Sequence, residues 1–217
     1  MFRRLPLVPS VIAGALVAGG LLASSVAYAG GKPDATRFNL FPNQKFLACV
    51  SADSEHPARV SAKVVRGDDN DTMTLRLDGF KPGLAFDLFT VENTPQLADG
   101  TANPDFKDNF GLVWYQSDIH VNSHGRGRVQ VKTILLDQIF GFDKGVALAP
   151  TNTFNVGFWF NDPADAQACG FTGVTPFNGE HRAGPLAFVT RLDATTNLGP
   201  ICTDPTTSAS GGVACNP

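Results

Sequence analysis

Only four histidines, the residue most versed in acid–base and metal chemistry, occur in this 217-residue chain: His56, His120, His124 and His181. Asp118, His120 and Asn122 alternate, so on an extended strand their side chains share the face opposite Ile119 and Val121. A carboxylate and an imidazole would then stand ~7 Å apart along one strand. His181 follows Glu180 in the loop Asn178-Gly179-Glu180-His181-Arg182. A fold that brought it beside His120 would build a metal site of mixed nitrogen and oxygen donors. Asp118, His120 and His181 are therefore the candidate metal ligands, with copper, zinc or calcium as the ions such a site could take. The plainer expectation puts His120 on a solvated face, His124 in a turn, and Glu180, His181 and Arg182 in a surface ion cluster.

Other chemistries find less support. Gly67-Asp68-Asp69-Asn70-Asp71 gathers three carboxylates and an amide that would attract calcium. A calcium loop needs six or more oxygens in a set order, and the EF-hand spacing is missing, so a polar hairpin turn accounts for these residues. No Gly-x-Ser-x-Gly, His-Glu-x-x-His or phosphate-binding glycine loop occurs. Asp87, Glu92, Asp99, Asp105 and Asp108 include spacings a glycosidase would need, but acidic residues are common in loops. Recognition is the less demanding alternative. Trp114 and Trp159 fall opposite the main apolar alternation of their segments, and as outward rings they would stack on sugars or meet a partner protein. A second packed layer over them is the competing expectation.

The elements that must position these residues read as strands. Lys45 to Val50 is the first, followed by Arg59 to Arg66 and Asp71 to Leu77, where Met73, Leu75 and Leu77 alternate with polar neighbours. Leu84 to Val91 and Phe110 to Gln116 come next, then a hairpin with arms Asp118 to Asn122 and Gly127 to Thr133. Thr153 to Phe160 puts four apolar residues on one face, and Pro185 to Leu192 closes the series. One short helix is expected at Ile134 to Phe140. Eight or nine strands in this length, with 22 Gly and 15 Pro supplying turns, describe an all-β fold. The expected architecture is one antiparallel β-sandwich of immunoglobulin-like or superoxide-dismutase-like Greek-key type. The 17 Phe supply its core.

Arg3 and Arg4 precede an uncharged run from Leu7 to Val26, which ends in Ala27-Tyr28-Ala29. This is the pattern of a secretory signal peptide, residues 1–29, removed after Ala29. Residues 30–193 then form the sandwich and residues 194–217 a Thr/Gly/Ser/Pro-rich tail. Cleavage leaves no membrane span and predicts a secreted protein, extracellular or periplasmic. In an oxidising compartment four cysteines imply disulfides. Cys202 with Cys215 would close a loop with little other reason to be ordered, worth about 3 kcal/mol. Cys49 with Cys169 follows by elimination. The formal charge is −3, and loss of Arg3 and Arg4 takes it to −5. Such a balance predicts no basic patch and no nucleic-acid partner.

The stretch Asp78-Gly79-Phe80-Lys81-Pro82-Gly83-Leu84-Ala85-Phe86-Asp87-Leu88-Phe89-Thr90-Val91-Glu92-Asn93 resembles a segment of the copper/zinc superoxide dismutases and of CHRD domains, which are extracellular sandwiches. The shared part is a Gly-apolar-x-Pro-Gly turn followed by a strand with Phe near its start. In the dismutases this strand carries two copper-binding histidines separated by one residue; the matching positions here are Asp87 and Phe89. Phenylalanine cannot ligate a metal, so the resemblance implies a fold and not the reaction.

The sequence therefore reads as an exported, non-enzymatic β-sandwich acting by surface recognition of an extracellular protein or a carbohydrate, with no cofactor favoured. The alternative is a metal-dependent redox or hydrolytic enzyme on a dismutase-like scaffold.

Overall fold

Burial at every second position fixes the sheet. Val60, Ala62 and Val64 are buried in one strand and Met73, Leu75 and Leu77 in the next, while Arg59, Ser61, Arg76 and Asp78 between them are exposed. The computed structural model describes residues 35–65, 70–107, 109–111, 113–133, 153–173, 183–194 and 197–202. Within them run Ala35–Pro42 (β1), Arg59–Val65 (β2), Asp71–Asp78 (β3), Ala85–Val91 (β4), Val113–His120 (β5), Gly127–Thr133 (β6), Thr153–Phe160 (β7), Leu186–Val189 (β8) and Ile201–Cys202 (β9). A four-residue helix, Leu47–Val50 (α1), follows a 3-10 turn at Gln44–Phe46, and a second 3-10 segment spans Pro163–Cys169.

Every strand pairing is antiparallel, in the order β5-β4-β7-β8-β1-β2-β3-β6, with β9 beside β7. β1 serves both halves of this nearly closed sheet: Ala35 to Leu40 pair with β2, and Phe41 and Pro42 pair with β8. At the other end β5 passes through the turn Asn122–Arg126 into β6, with Val121 bridged to Gly127. β3 returns beside β6, so the hairpin partners β5 and β6 stand at the two ends of the hydrogen-bonded order. Gly125 sits in this turn at φ +70°, and a Cβ there would collide with the Phe80 carbonyl oxygen.

Phenylalanines fill the space between the halves. Phe86 and Phe158 lie 4.8 Å apart by ring centroids, Phe80 and Phe86 5.6 Å, and Phe158 and Phe188 5.3 Å. The all-β antiparallel class expected from the sequence is the one observed, and its two layers belong to one continuous sheet.

Four local expectations change. Lys45 to Val50 is not a strand: Phe46, Cys49 and Val50 are buried at i, i+3 and i+4, the spacing of a helical turn. Ala35–Pro42 is a strand that turn residues at both ends obscure in the sequence. Asp118 and His120 belong to the same strand as Val113, so the break before Asp118 does not exist. The stretch after residue 194 is not all tail, because Ile201 pairs with Phe154 and is buried in the main core. The expected helix at 134–140, the leader 1–29 and residues 203–217 lie outside the described residues.

Cys49 and Cys169 form a disulfide with a Cα separation of 6.1 Å, joining α1 to the second 3-10 segment. It ties down the loop that follows β7. Cys202 contributes its backbone to β9, and Cys215 lies outside the described residues. No helix among the described residues is long and apolar enough to cross a membrane.

Candidate functional site

The two halves of the sheet treat their outer faces differently. Over β4 and β7 the connection from β4 to β5 folds back across the sheet. There Val91, Trp159, Leu186 and Val189 form a second buried cluster, with Phe89, Phe110 and Val113 packed against it. Beneath this cover lies a polar network. Thr190 Oγ1 donates to Asn155 Oδ1 at 2.9 Å, Asn155 Nδ2 donates to the Glu92 carbonyl at 3.0 Å, and Thr94 Oγ1 donates to the Thr190 carbonyl at 2.7 Å. All four of these residues are buried. Internal partners let such groups stay out of water.

For Trp159 this cover is the expected second packed layer, and it overturns the reading of an outward stacking ring. Trp159 does point outward from the main core, but it is only 1% exposed, held edge-on by Phe89 at 5.2 Å and Phe110 at 5.0 Å. Alternation gives the direction of a side chain and not what lies over it. Trp114 is half-buried and pairs with Thr90, whereas Tyr115 pairs with Phe89. Register therefore puts Trp114 on the opposite face from Trp159, and the two rings cannot form one stacking platform.

The predicted metal ligands divide. Asp118 and His120 share an exposed face of β5, as their alternation requires; His181 lies outside the described residues. Asp118 is opposite Asp87 and accepts a hydrogen bond from Tyr115 Oη at 2.7 Å. Burial of the Tyr115 phenol, then its hydrogen bond to Asp118 and the charges of Asp118 and Asp87, push it up to about 12. Asp87 accepts a hydrogen bond from Asn161 Nδ2 at 2.8 Å, and Phe89 packs against Trp159. Asp87 is thus a hydrogen-bonded carboxylate and Phe89 a packed phenyl ring. No group of three or more His, Cys, Asp or Glu among the described residues could hold a metal. In the acidic turn, Asp71 is buried at the start of β3; residues 66–69 lie outside the described residues.

The other outer face, on β1-β2-β3-β6, carries what the sequence reading missed. Register sets two rows of side chains across the four strands. One row is Arg37, Lys63, Thr74 and Gln130; the next is Asn39, Ser61, Arg76 and Arg128. Lys132 stands in a third row, opposite Thr72. The side chains of the first two rows frame an open depression of about 550 Å³. Arg37 is directly opposite Lys63, and Arg76 directly opposite Arg128. Like charges placed so are destabilising. Arg59 and Arg126 at the margin share Asp78, at 3.8 and 3.1 Å. Arg37, Lys63, Arg76, Arg128 and Lys132 form no ion pair within 4.0 Å among the described residues.

A net charge averages over the whole surface, and that hid this face. The expectation of no basic patch is corrected: the cations come from four strands scattered along the sequence and are gathered only by strand register. The signal available in the sequence was their placement on the polar phase of each alternating segment. Chemically, the face is an array of donors able to neutralise an extended anion, with Thr74 held by Gln130 at 3.2 Å.

The chain matches no protein-family model, no curated protein and no solved structure.

Proposed function

We propose that the chain is an exported, non-enzymatic recognition module that binds an anionic partner on the outer face of β1-β2-β3-β6. One observation carries this reading: two directly opposed like-charge pairs, Arg37 with Lys63 and Arg76 with Arg128, on an exposed sheet face without ion-pair partners among the described residues. Unrelieved, such pairs only cost stability. A bound anion would reverse the sign of their contribution. Export is supported by the leader pattern at residues 1–29 and by the Cys49–Cys169 disulfide, a bond favoured in oxidising compartments.

The test is retention on a polyanionic column. A protein of formal charge −3 should be repelled by it as a whole, so retention at about 50 mM salt requires a local basic face. The native protein should be retained and elute as salt rises. A variant with R37T, K63T, R76T and R128T, verified as folded by circular dichroism, should pass straight through. A native protein that is not retained overturns the proposal.

A further inference from the structure

We infer that the anion taken by this face is an acidic polysaccharide, a chain of sulfated or uronic sugars lying across the strands; the inference rests on the proposed anion-binding reading. Three features of the face select this class.

The first is the mixture within each row. Every cation doublet shares its row with two neutral hydrogen-bonding side chains, Thr74 and Gln130 in one and Asn39 and Ser61 in the other. Hydroxyls and amides both donate and accept, and they match a ligand that carries many hydroxyls between its charges. An acidic peptide offers few such groups. Guanidinium groups add planar, two-pronged recognition of sulfate or carboxylate.

The second is the lack of rings within the two cation rows. Among the described residues no aromatic stands in the row of Arg37 or in the row of Asn39; the outward Phe41 of β1 lies outside both, with the Arg191 guanidinium 4.0 Å from its ring centroid. Single-stranded nucleic acid draws about 1–3 kcal/mol per base from stacking on such rings. The two cation rows offer a base no ring to stack on.

The third is shape. The side chains border a depression, not a plane, and a flat bilayer surface would not follow its contour. From Arg37 to Arg128 the cations cross three strand spacings, ~14 Å, which suits a linear chain better than one small anion.

The experiment compares four probes at equal charge concentration and fixed salt: heparin, an alginate, oligo-dT and poly-glutamate. Two double variants remove only neutral groups, N39A/S61A and T74V/Q130A. Each is checked by thermal melting, and either suffices if the other does not fold. Binding of heparin or alginate should exceed that of oligo-dT and poly-glutamate. The neutral variants should weaken the polysaccharide by on the order of tenfold, from loss of about two hydrogen bonds, and leave the other probes unchanged. Equal or tighter binding of oligo-dT or poly-glutamate, or an equal effect of the neutral variants on all probes, overturns the polysaccharide assignment while leaving a basic binding face. Failure of all four probes overturns the anion-binding reading itself.

Discussion

Arg76 lies directly opposite Arg128 on neighbouring antiparallel strands, with both side chains exposed. The arrangement predicts a trade between stability and binding. Replacing Arg76 with Thr, a good strand former, should raise unfolding free energy by about 0.2–1 kcal/mol at low salt. The gain should shrink as salt screens the pair. Denaturant titration at two ionic strengths measures it, and the same variant should lose retention on a polyanion. A destabilised R76T would show that the guanidinium supports the fold.

The buried network under the β4–β5 connection gives a second prediction. Asn155 links Thr190 to the Glu92 carbonyl, both out of water. Asn155→Ala should cost about 1–3 kcal/mol for each partner left unsatisfied. Hydrogen exchange should report the loss as faster exchange in the 92–111 connection and not in β2 or β3. A uniform change across the sheet would mean that the network does not anchor the cover.

The third concerns the disulfide. Cys49 and Cys169 are 120 residues apart, so their bond restricts a long loop in the unfolded chain. Replacing both with Ala should lower stability by about 2–5 kcal/mol. The double variant should keep its β-type circular dichroism spectrum, because Cys49 and Cys169 lie outside the strands. Equal denaturant midpoints with and without the bond would refute this.

Tyr115 supplies a pH prediction. Its phenol is pushed up to about 12, chiefly by burial and then by Asp118, against about 10 in an unfolded chain. The folded state therefore holds the proton more tightly. The resulting stabilisation is complete below pH ~10 and disappears as pH rises from there through about 12. Ultraviolet titration of native protein against Tyr115→Phe should place the phenolate transition near the upper value. Asp118→Asn should move it only part of the way back, because burial is the larger cause.

Much of the scaffold was legible because its signal is local. Met73, Leu75 and Leu77 alternate, and Thr153 to Phe160 reads as one strand from end to end. Where the reading failed, information from elsewhere in the chain decided the matter. Phe46, Cys49 and Val50 look like a short apolar strand until the partner across the disulfide is known. Trp159 has the direction its alternation implies, yet Phe89 and Phe110 cover it. The basic face is the extreme case. Arg37, Lys63, Arg76 and Arg128 are unremarkable surface residues in sequence, and only strand pairing makes them neighbours.

Among the described residues, Arg37, Lys63, Arg76, Arg128 and Lys132 concentrate positive charge on one outer face of a chain whose formal charge is −3. Near a strongly negative object such a particle turns before it touches, presenting the arginine side first. Encounters would then be oriented from a distance, and dilute salt would slow arrival before it weakened the grip.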